Sequence, residues 1–274
     1  MSFSPPRSVT VAAAGLLCPA GVGLAGCRGG HPGEVPGFRP RAYVENRKSL
    51  KLMSRAVRLG VSAIRIALGQ TTGWESVEPL RRGIFVGSTP GGGELGDLLP
   101  ALESATTADG RLDMQQFGRE GYPLIHPLWL LKGLSNNVLG FASAIHDLQG
   151  VNANYCDGEL SGALAITEGW AAVAEGRADL VLAGASDSWI PYAGALAGRT
   201  PGEGAGFLVL RAARPEDPWT VAPGEGPPTP DEEGTLGFLG AAVTPVAVAR
   251  SLLREEPVGI HVPGGPALYF GTRS

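Results

Sequence analysis

The run "LSGALAITEGWAAVAEG", residues 160–176, is apolar almost all round at helical spacing, and it limits what the chain can become more than any other feature. A helix without a polar face has no side to turn to water, so it is expected at the centre of the fold. Strand-like runs lie on both sides of it in sequence. They are residues 8–16 (SVTVAAAGL), 82–88 (RGIFVGS), 151–155 (VNANY), 178–186 (ADLVLAGAS) and 204–213 (GAGFLVLRAA). A second helix is expected over 47–68, with Lys51, Arg55, Arg58 and Arg65 on one face. Leu52, Met53, Ala56, Val57, Ile64 and Leu68 fall largely on the other face. A third is expected over 130–150, turning at Gly150, whereas 95–125 carries no readable period. Strands alternating with helices predict an α/β layered sheet.

The 274 residues suffice for one large domain or two modest ones, and 43% hydrophobic with 18% charged residues is an ordinary globular balance. Forty-two glycines and 23 prolines predict many tight turns. A net charge of −4 points to neither nucleic acid nor an anionic membrane as partner. Cys18, Cys27 and Cys156 make no disulfide framework and no metal spacing, which places the chain in a reducing cytoplasm. The apolar start is broken by Pro19 and preceded only by Arg7, so it reads as a strand feeding a glycine loop rather than a leader. No stretch approaches the ~20 apolar residues of a membrane span. Residues 214–233 (RPEDPWTVAPGEGPPTPDEE) turn rich in Pro, Gly and acid, and read as a linker or surface loop. A helix over 239–254, despite Pro245, and two strands around a Pro-Gly-Gly turn (258–271) complete the chain.

The order of these segments resembles the β-ketoacyl synthase family. "VAAAGLLCPAGVG", "KLMSRAVRLGVSAIRIAL", "GIFVGSTPGGGE", the long stretch from "LSNNVLGFASAIHDLQG" through "VNANYCDGELSGALAI" to "LVLAGASDS", and "RTPGEGAGFLVLR" follow the family's first half in sequence. "LGFLGAAVTPVAVARSLL" is similar to its late glycine-rich helix, and "PGGPALYF" to its terminal hairpin. The resemblance implies a thiolase-like layered α-β-α fold whose first half is essentially complete. The second half is then largely deleted to a helix plus hairpin. Residues 1–213 correspond to the ketosynthase-like N-terminal half, 214–233 replace the deleted part, and 234–274 are the remnant of the C-terminal half.

Two departures accompany it. The position of the family's catalytic cysteine falls on Glu159, three residues after Cys156. The position of one catalytic histidine falls on Gly237 and that of the lysine on Glu232, while the segment carrying the other histidine has no counterpart. A carboxylate at a helix N-terminus is electrostatically comfortable but a far weaker acyl acceptor than a thiolate. The implied role is a non-catalytic, chain-length-factor-type subunit. It would pair with an active β-ketoacyl synthase in a type II polyketide or fatty-acid-like system, meet acyl carrier protein through that complex, and help shape the acyl tunnel. The resemblance makes Val151, Asn152, Ala153, Asn154, Tyr155 and Cys156 the expected dimer interface, since the family pairs this strand with a copy across a two-fold axis, and left unpaired it would be a bare edge that invites aggregation. Phe117, Leu124, Trp129 and Leu130 are tunnel candidates, with ordinary core packing as the alternative.

A malonyl-carrier-protein decarboxylase using the Glu159 corner and a homodimeric scaffold are the competing readings. Decarboxylation needs hydrogen-bond donors for an enolate, and an ionised Glu159 would repel one. The acid pair Asp157 and Glu159 lacks a general base for hydrolysis. Cys156 reads as a buried strand residue. His31, His126, His146 and His261 have no i,i+4 or cysteine partner, so structural or surface roles are expected and no metal. "STPGGGELG" lacks the Gly-Lys-Ser/Thr ending of a phosphate loop and reads as a turn, so no cofactor is expected.

Overall fold

The computed structural model describes residues 6–89 and 95–272. In chain order the elements are β1 (Val9–Cys18), β2 (Gly21–Val22), α1 (Arg47–Leu52), α2 (Arg55–Gly69) and β3 (Arg82–Gly87). Short helices α3 (Leu99–Glu103), α4 (Met114–Gln116) and α5 (Trp129–Lys132) lead to α6 (Asn137–His146), β4 (Asn152–Tyr155) and α7 (Ser161–Ala174). Strands β5 (Leu180–Ser188), β6 (Glu203–Ala212) and β7 (Trp219–Pro223) follow. The chain ends with α8 (Glu233–Leu236), α9 (Val243–Leu253), β8 (Val258–Ile260) and β9 (Leu268–Thr272).

Among the described residues the strands form one nine-stranded sheet in the order β4-β3-β5-β6-β1-β7-β9-β8, with β2 paired to β1. β3 runs parallel to β4 and β5, and the other pairings are antiparallel. Helices cover both faces. On one, Leu59, Ala63 and Ile64 of α2 and Val138 and Ala142 of α6 meet Ile84, Val86, Leu182 and Phe207. On the other, Ile166 and Val173 of α7 and Val246 and Ala249 of α9 meet Phe85, Val181, Ala183 and Leu208. The molecule is thus an α/β fold with helix, sheet and helix layers. α7 lies in the core as its composition requires, with Glu168 its one exposed residue.

Three expectations are corrected. The helix over 47–68 is two, because Met53 is extended and the Ser54 hydroxyl accepts from the Val57 N–H at 3.4 Å, starting α2 afresh. The helix over 130–150 is likewise divided into α5 and α6. The proline-rich stretch 214–233 is not all loop. Its "WTVAP" alternates, buries Val221 and pairs with β9 as β7. Pro245 sits in the first turn of α9, where a missing N–H breaks no intrahelical bond. The expected terminal hairpin is β8 with β9. No helix among the described residues is long and apolar enough to cross a membrane.

Candidate functional site

The corner after β4 is built by hydrogen bonds. Gly158 takes a positive φ of 53°, and the chain makes one 3-10 turn into α7. The Ser161 hydroxyl accepts from the Asp157 N–H at 2.7 Å and donates to the Gly158 carbonyl at 2.8 Å. Gly162 admits a second element, since a Cβ there would lie 2.4 Å from Pro245 and 2.5 Å from the Ala241 carbonyl oxygen. The Ser-Gly pair that opens α7 therefore has a packing reason of its own. It fixes the turn and lets the start of α9 touch the start of α7.

Glu159 stands exposed at the apex, and its carboxylate accepts from Arg199 Nη1 at 3.1 Å. The same guanidinium donates from Nε to Glu233 at 2.8 Å and lies 3.7 Å over the Phe238 ring. Two carboxylates around one guanidinium hold Arg199 well above its ordinary pKa, and Arg199 holds Glu233 below the usual carboxylate range. Glu159 thus sits in a charge-paired cluster with Arg199 and Glu233.

The two other positions that the resemblance singles out are also held by local contacts. Gly237 has φ 79° and ψ −178°, backbone that only glycine adopts readily, and a Cβ would lie 2.7 Å from the Pro201 carbonyl oxygen. No histidine fits that backbone. Glu232 is buried and ion-paired with Arg250 Nε at 3.2 Å and Arg254 Nη1 at 3.8 Å.

Two buried acids went unremarked in the sequence. Asp187, at the end of β5, accepts from Thr89 Oγ1, the Ser188 N–H at 2.9 Å, Trp189 Nε1 at 3.0 Å and the Ala241 N–H at 3.1 Å. Burial nevertheless pushes its carboxyl above the ordinary value. Glu203 accepts from Arg55 Nε at 2.9 Å, from Arg55 Nη2 at 2.6 Å, from Ser188 Oγ at 3.0 Å and from the Val35 N–H at 2.8 Å. The signal was present in both cases: an acid inside an apolar strand run, and a glutamate between glycines at a strand start. Beside them lies a cavity of about 210 Å³, lined by Ser54, Arg55, Lys132 and Asp187 among polar residues and by Val138 and Trp189 among apolar ones.

The remaining candidates scatter. Among the described residues β4 is the edge of the sheet, bonded only to β3, so Asn152, Ala153, Asn154 and Tyr155 do form an edge, with Val151 leading in. Cys156 is exposed rather than buried, because the chain has left the sheet for the turn. Its sulfur lies 3.2 Å from Ser88 Oγ and accepts from Asn154 Nδ2 at 3.3 Å. None of the four tunnel candidates lines the cavity. Leu124 is 52% and Leu130 70% exposed, while Phe117 and Trp129 are half-buried on the short helical turns before α6. His31, His126 and His261 are exposed, and His146 is buried edge-on against Trp74. Most of the glycine loop "TPGGGELG" lies outside the described residues.

No protein-family model matches the sequence, and neither does any curated protein. Solved structures do match in fold. The ishigamide ketosynthase/chain length factor superposes with a TM-score of 0.72 at 16% identity, covering 98% of this chain and 100% of that one. The chain has the ketosynthase fold. The AntDE:AntF complex, a type II polyketide synthase acyl-carrier protein with its ketosynthase bound to the hexaketide, gives 0.71 at 15% identity over 97% of this chain and 100% of that one. A β-ketoacyl synthase from Burkholderia phymatum gives 0.66 at 14% identity over 98% and 100%. Within the ketosynthase fold, the β4–α7 corner is the feature on which the resemblance places a nucleophile, and here its apex is Glu159.

Proposed function

We propose that the chain is a non-catalytic, chain-length-factor-like subunit that pairs with an active ketosynthase and lends one wall to the acyl tunnel of the pair. The pair would work on acyl chains held by a carrier protein, in a type II polyketide or fatty-acid-like system in the cytoplasm. In this reading residues 1–213 answer to the first thiolase half, 214–233 bridge a deletion and 234–274 keep what remains of the second. The observation that carries it is the state of the three catalytic positions. Glu159 is ion-paired with Arg199, Gly237 has a backbone closed to any side chain, and Glu232 is spent on buried Arg250 and on Arg254. A site for thioester exchange and enolate stabilisation needs a free nucleophile and convergent neutral or cationic donors, and the one guanidinium at this corner already serves two carboxylates.

The free edge of β4 favours pairing with another chain. The Ile84 N–H donates to the Val151 carbonyl and the Ser88 N–H to the Tyr155 carbonyl, so odd-numbered residues of this segment face β3. The backbone groups of Asn152 and Asn154 therefore point away from the sheet. Exposed Leu124 and Leu130, with Phe117 and Trp129 nearby in sequence, offer apolar surface for the same partner. The test is turnover of malonyl-carrier protein by the chain alone, by a ketosynthase from the same genome, and by the two together. Condensation only in the presence of the ketosynthase, unchanged by Glu159→Ala, is expected. Decarboxylation by the isolated chain that disappears in Glu159→Ala would overturn the reading in favour of an enzyme.

A further inference from the structure

The cavity of about 210 Å³ takes its lining from the ends of β3 and β5, the start of α2, the turn before α6 and the loop after β5. That loop contributes Trp189, Pro191 and Tyr192. Backbone bonds close its base. The Trp189 N–H donates to the Gly202 carbonyl at 3.0 Å, and the Gly202 N–H to the Phe238 carbonyl at 3.1 Å. Above these ties runs a 3-10 turn, Ile190–Ala195, interrupted at Tyr192, whose φ of −115° and ψ of 21° are not helical. Leu196 is the one buried residue of the segment 190–198. A segment with so little burial opens ahead of the rest of its fold.

The far end of the segment is strained. Ala197 has φ 48° and Gly198 φ 91°. Left-handed backbone costs an alanine energy that a glycine is spared, so Ala197 keeps it only while its surroundings hold it there. Arg199, two residues on, supplies the hold. Its guanidinium donates from Nε to Glu233 at 2.8 Å and from Nη1 to Glu159 at 3.1 Å. It also lies 3.7 Å over the Phe238 ring, which in turn meets the Trp189 ring at 4.9 Å. The side chains of Arg199, Glu159 and Glu233 are each exposed by a third or more. Exposed ion pairs are weak and salt-sensitive, which suits a catch that has to release.

We propose that residues 190–198 are a lid on the cavity, hinged at Ala197 and Gly198 and latched shut by Arg199. With its base pinned at 189 and 202, the loop can swing while β5 and β6 stay paired. Release of Arg199 frees the strained hinge, draws Pro191 and Tyr192 off the cavity and admits a small molecule to it. Glu159 is then one jaw of a latch rather than a reacting group. The lid belongs to this chain by itself, whether or not the chain pairs with a ketosynthase.

The test is the access of a small thiol reagent, iodoacetamide, to a cysteine set in the cavity wall. Val138→Cys in the full-length chain provides it, with exposed Cys156 removed by Cys156→Ser. Alkylation is followed at low and at physiological ionic strength, with and without Arg199→Gln, beside amide hydrogen exchange of the same proteins. Arg199→Gln is expected to speed alkylation at least about tenfold, and to quicken exchange in 190–198 while β5 and β6 stay protected. Salt should speed both in the latched chain. Glu159→Gln should act less strongly, because Glu233 still holds two guanidinium nitrogens. Alkylation unchanged by Arg199→Gln overturns the lid. Faster exchange spread evenly over β5 and β6 also overturns it, since that reports a loosening of the whole fold. Should Arg199→Gln fail to fold, the latched chain decides alone, and an alkylation rate indifferent to salt overturns the latch.

Discussion

At the residue scale, single conformations decide what the candidate site can hold. Gly237 combines a glycine-only backbone with a carbonyl oxygen 2.7 Å from where a Cβ would sit. Gly237→Ala is expected to cost on the order of 2 kcal/mol or more, read as a lowered denaturation midpoint. An unchanged midpoint would mean that the backbone there is free to relax and that a histidine could be accommodated. Asp187 is the opposite case, a buried acid whose value lies in the donors around it. Removing it in Asp187→Ala strands Trp189 Nε1 and the Ser188 and Ala241 N–H groups, at a cost on the order of 3 kcal/mol. Glu159→Ala gives up one exposed ion pair, so its stability should change by less than about 1 kcal/mol. These positions also mark how far the sequence could be read. The resemblance singles out 159, 232 and 237, but the partners Arg199, Arg250 and Pro201 lie elsewhere along the chain, and only the folded backbone brings them together.

At the element scale, the elements whose pattern is local were legible, and those set by tertiary contact were not. β1, β3, β5, β6 and α7 follow from runs of residues that can only be buried. The break at Ser54 was missed because the apolar period of Leu52 and Met53 resumes at Ala56 and Val57, masking a capping serine. β7 was missed because prolines and acids on both sides hid a strand of five residues that exists only as partner to β9. Helix α6 carries a pH response. His146 at its last turn is desolvated beside Trp74 and near Arg65, which lowers its pKa from 6.5 to about 4. The Arg82 guanidinium donates to its carbonyl from the strand below. Between pH 6.5 and 4 the unfolded state binds the proton and the folded state does not, so stability is full above 6.5 and falls as pH drops towards 4. The loss is bounded by about 3 kcal/mol, and His146→Leu should flatten the slope of unfolding free energy in that window. Edge strand β4 gives a second element-scale prediction. Asn152→Pro removes an N–H that faces away from β3, so the fold should persist, by an unchanged far-ultraviolet spectrum, while association with the ketosynthase is lost.

At the scale of the whole molecule, the sheet ends on one side in β4 and on the other in β8. α7 and α9 lie side by side on one face of the sheet and touch where Gly162 meets Pro245. The alternation of strands and helices in the sequence predicted the layered α/β arrangement, since such folds are laid down nearly in chain order. That the leucines at 124, 128, 130, 131 and 134 are exposed was beyond its reach, because residues 95–125 have no period and the following turns are too short to show one. They fit a molecule that is completed by a second chain. The central claim is that this chain is half of a pair, and native mass measurement after co-expression with a ketosynthase from the same genome tests it most directly. The account predicts a complex holding one copy of each chain. A homodimer or a monomer of this chain, with the ketosynthase recovered separately, would contradict it.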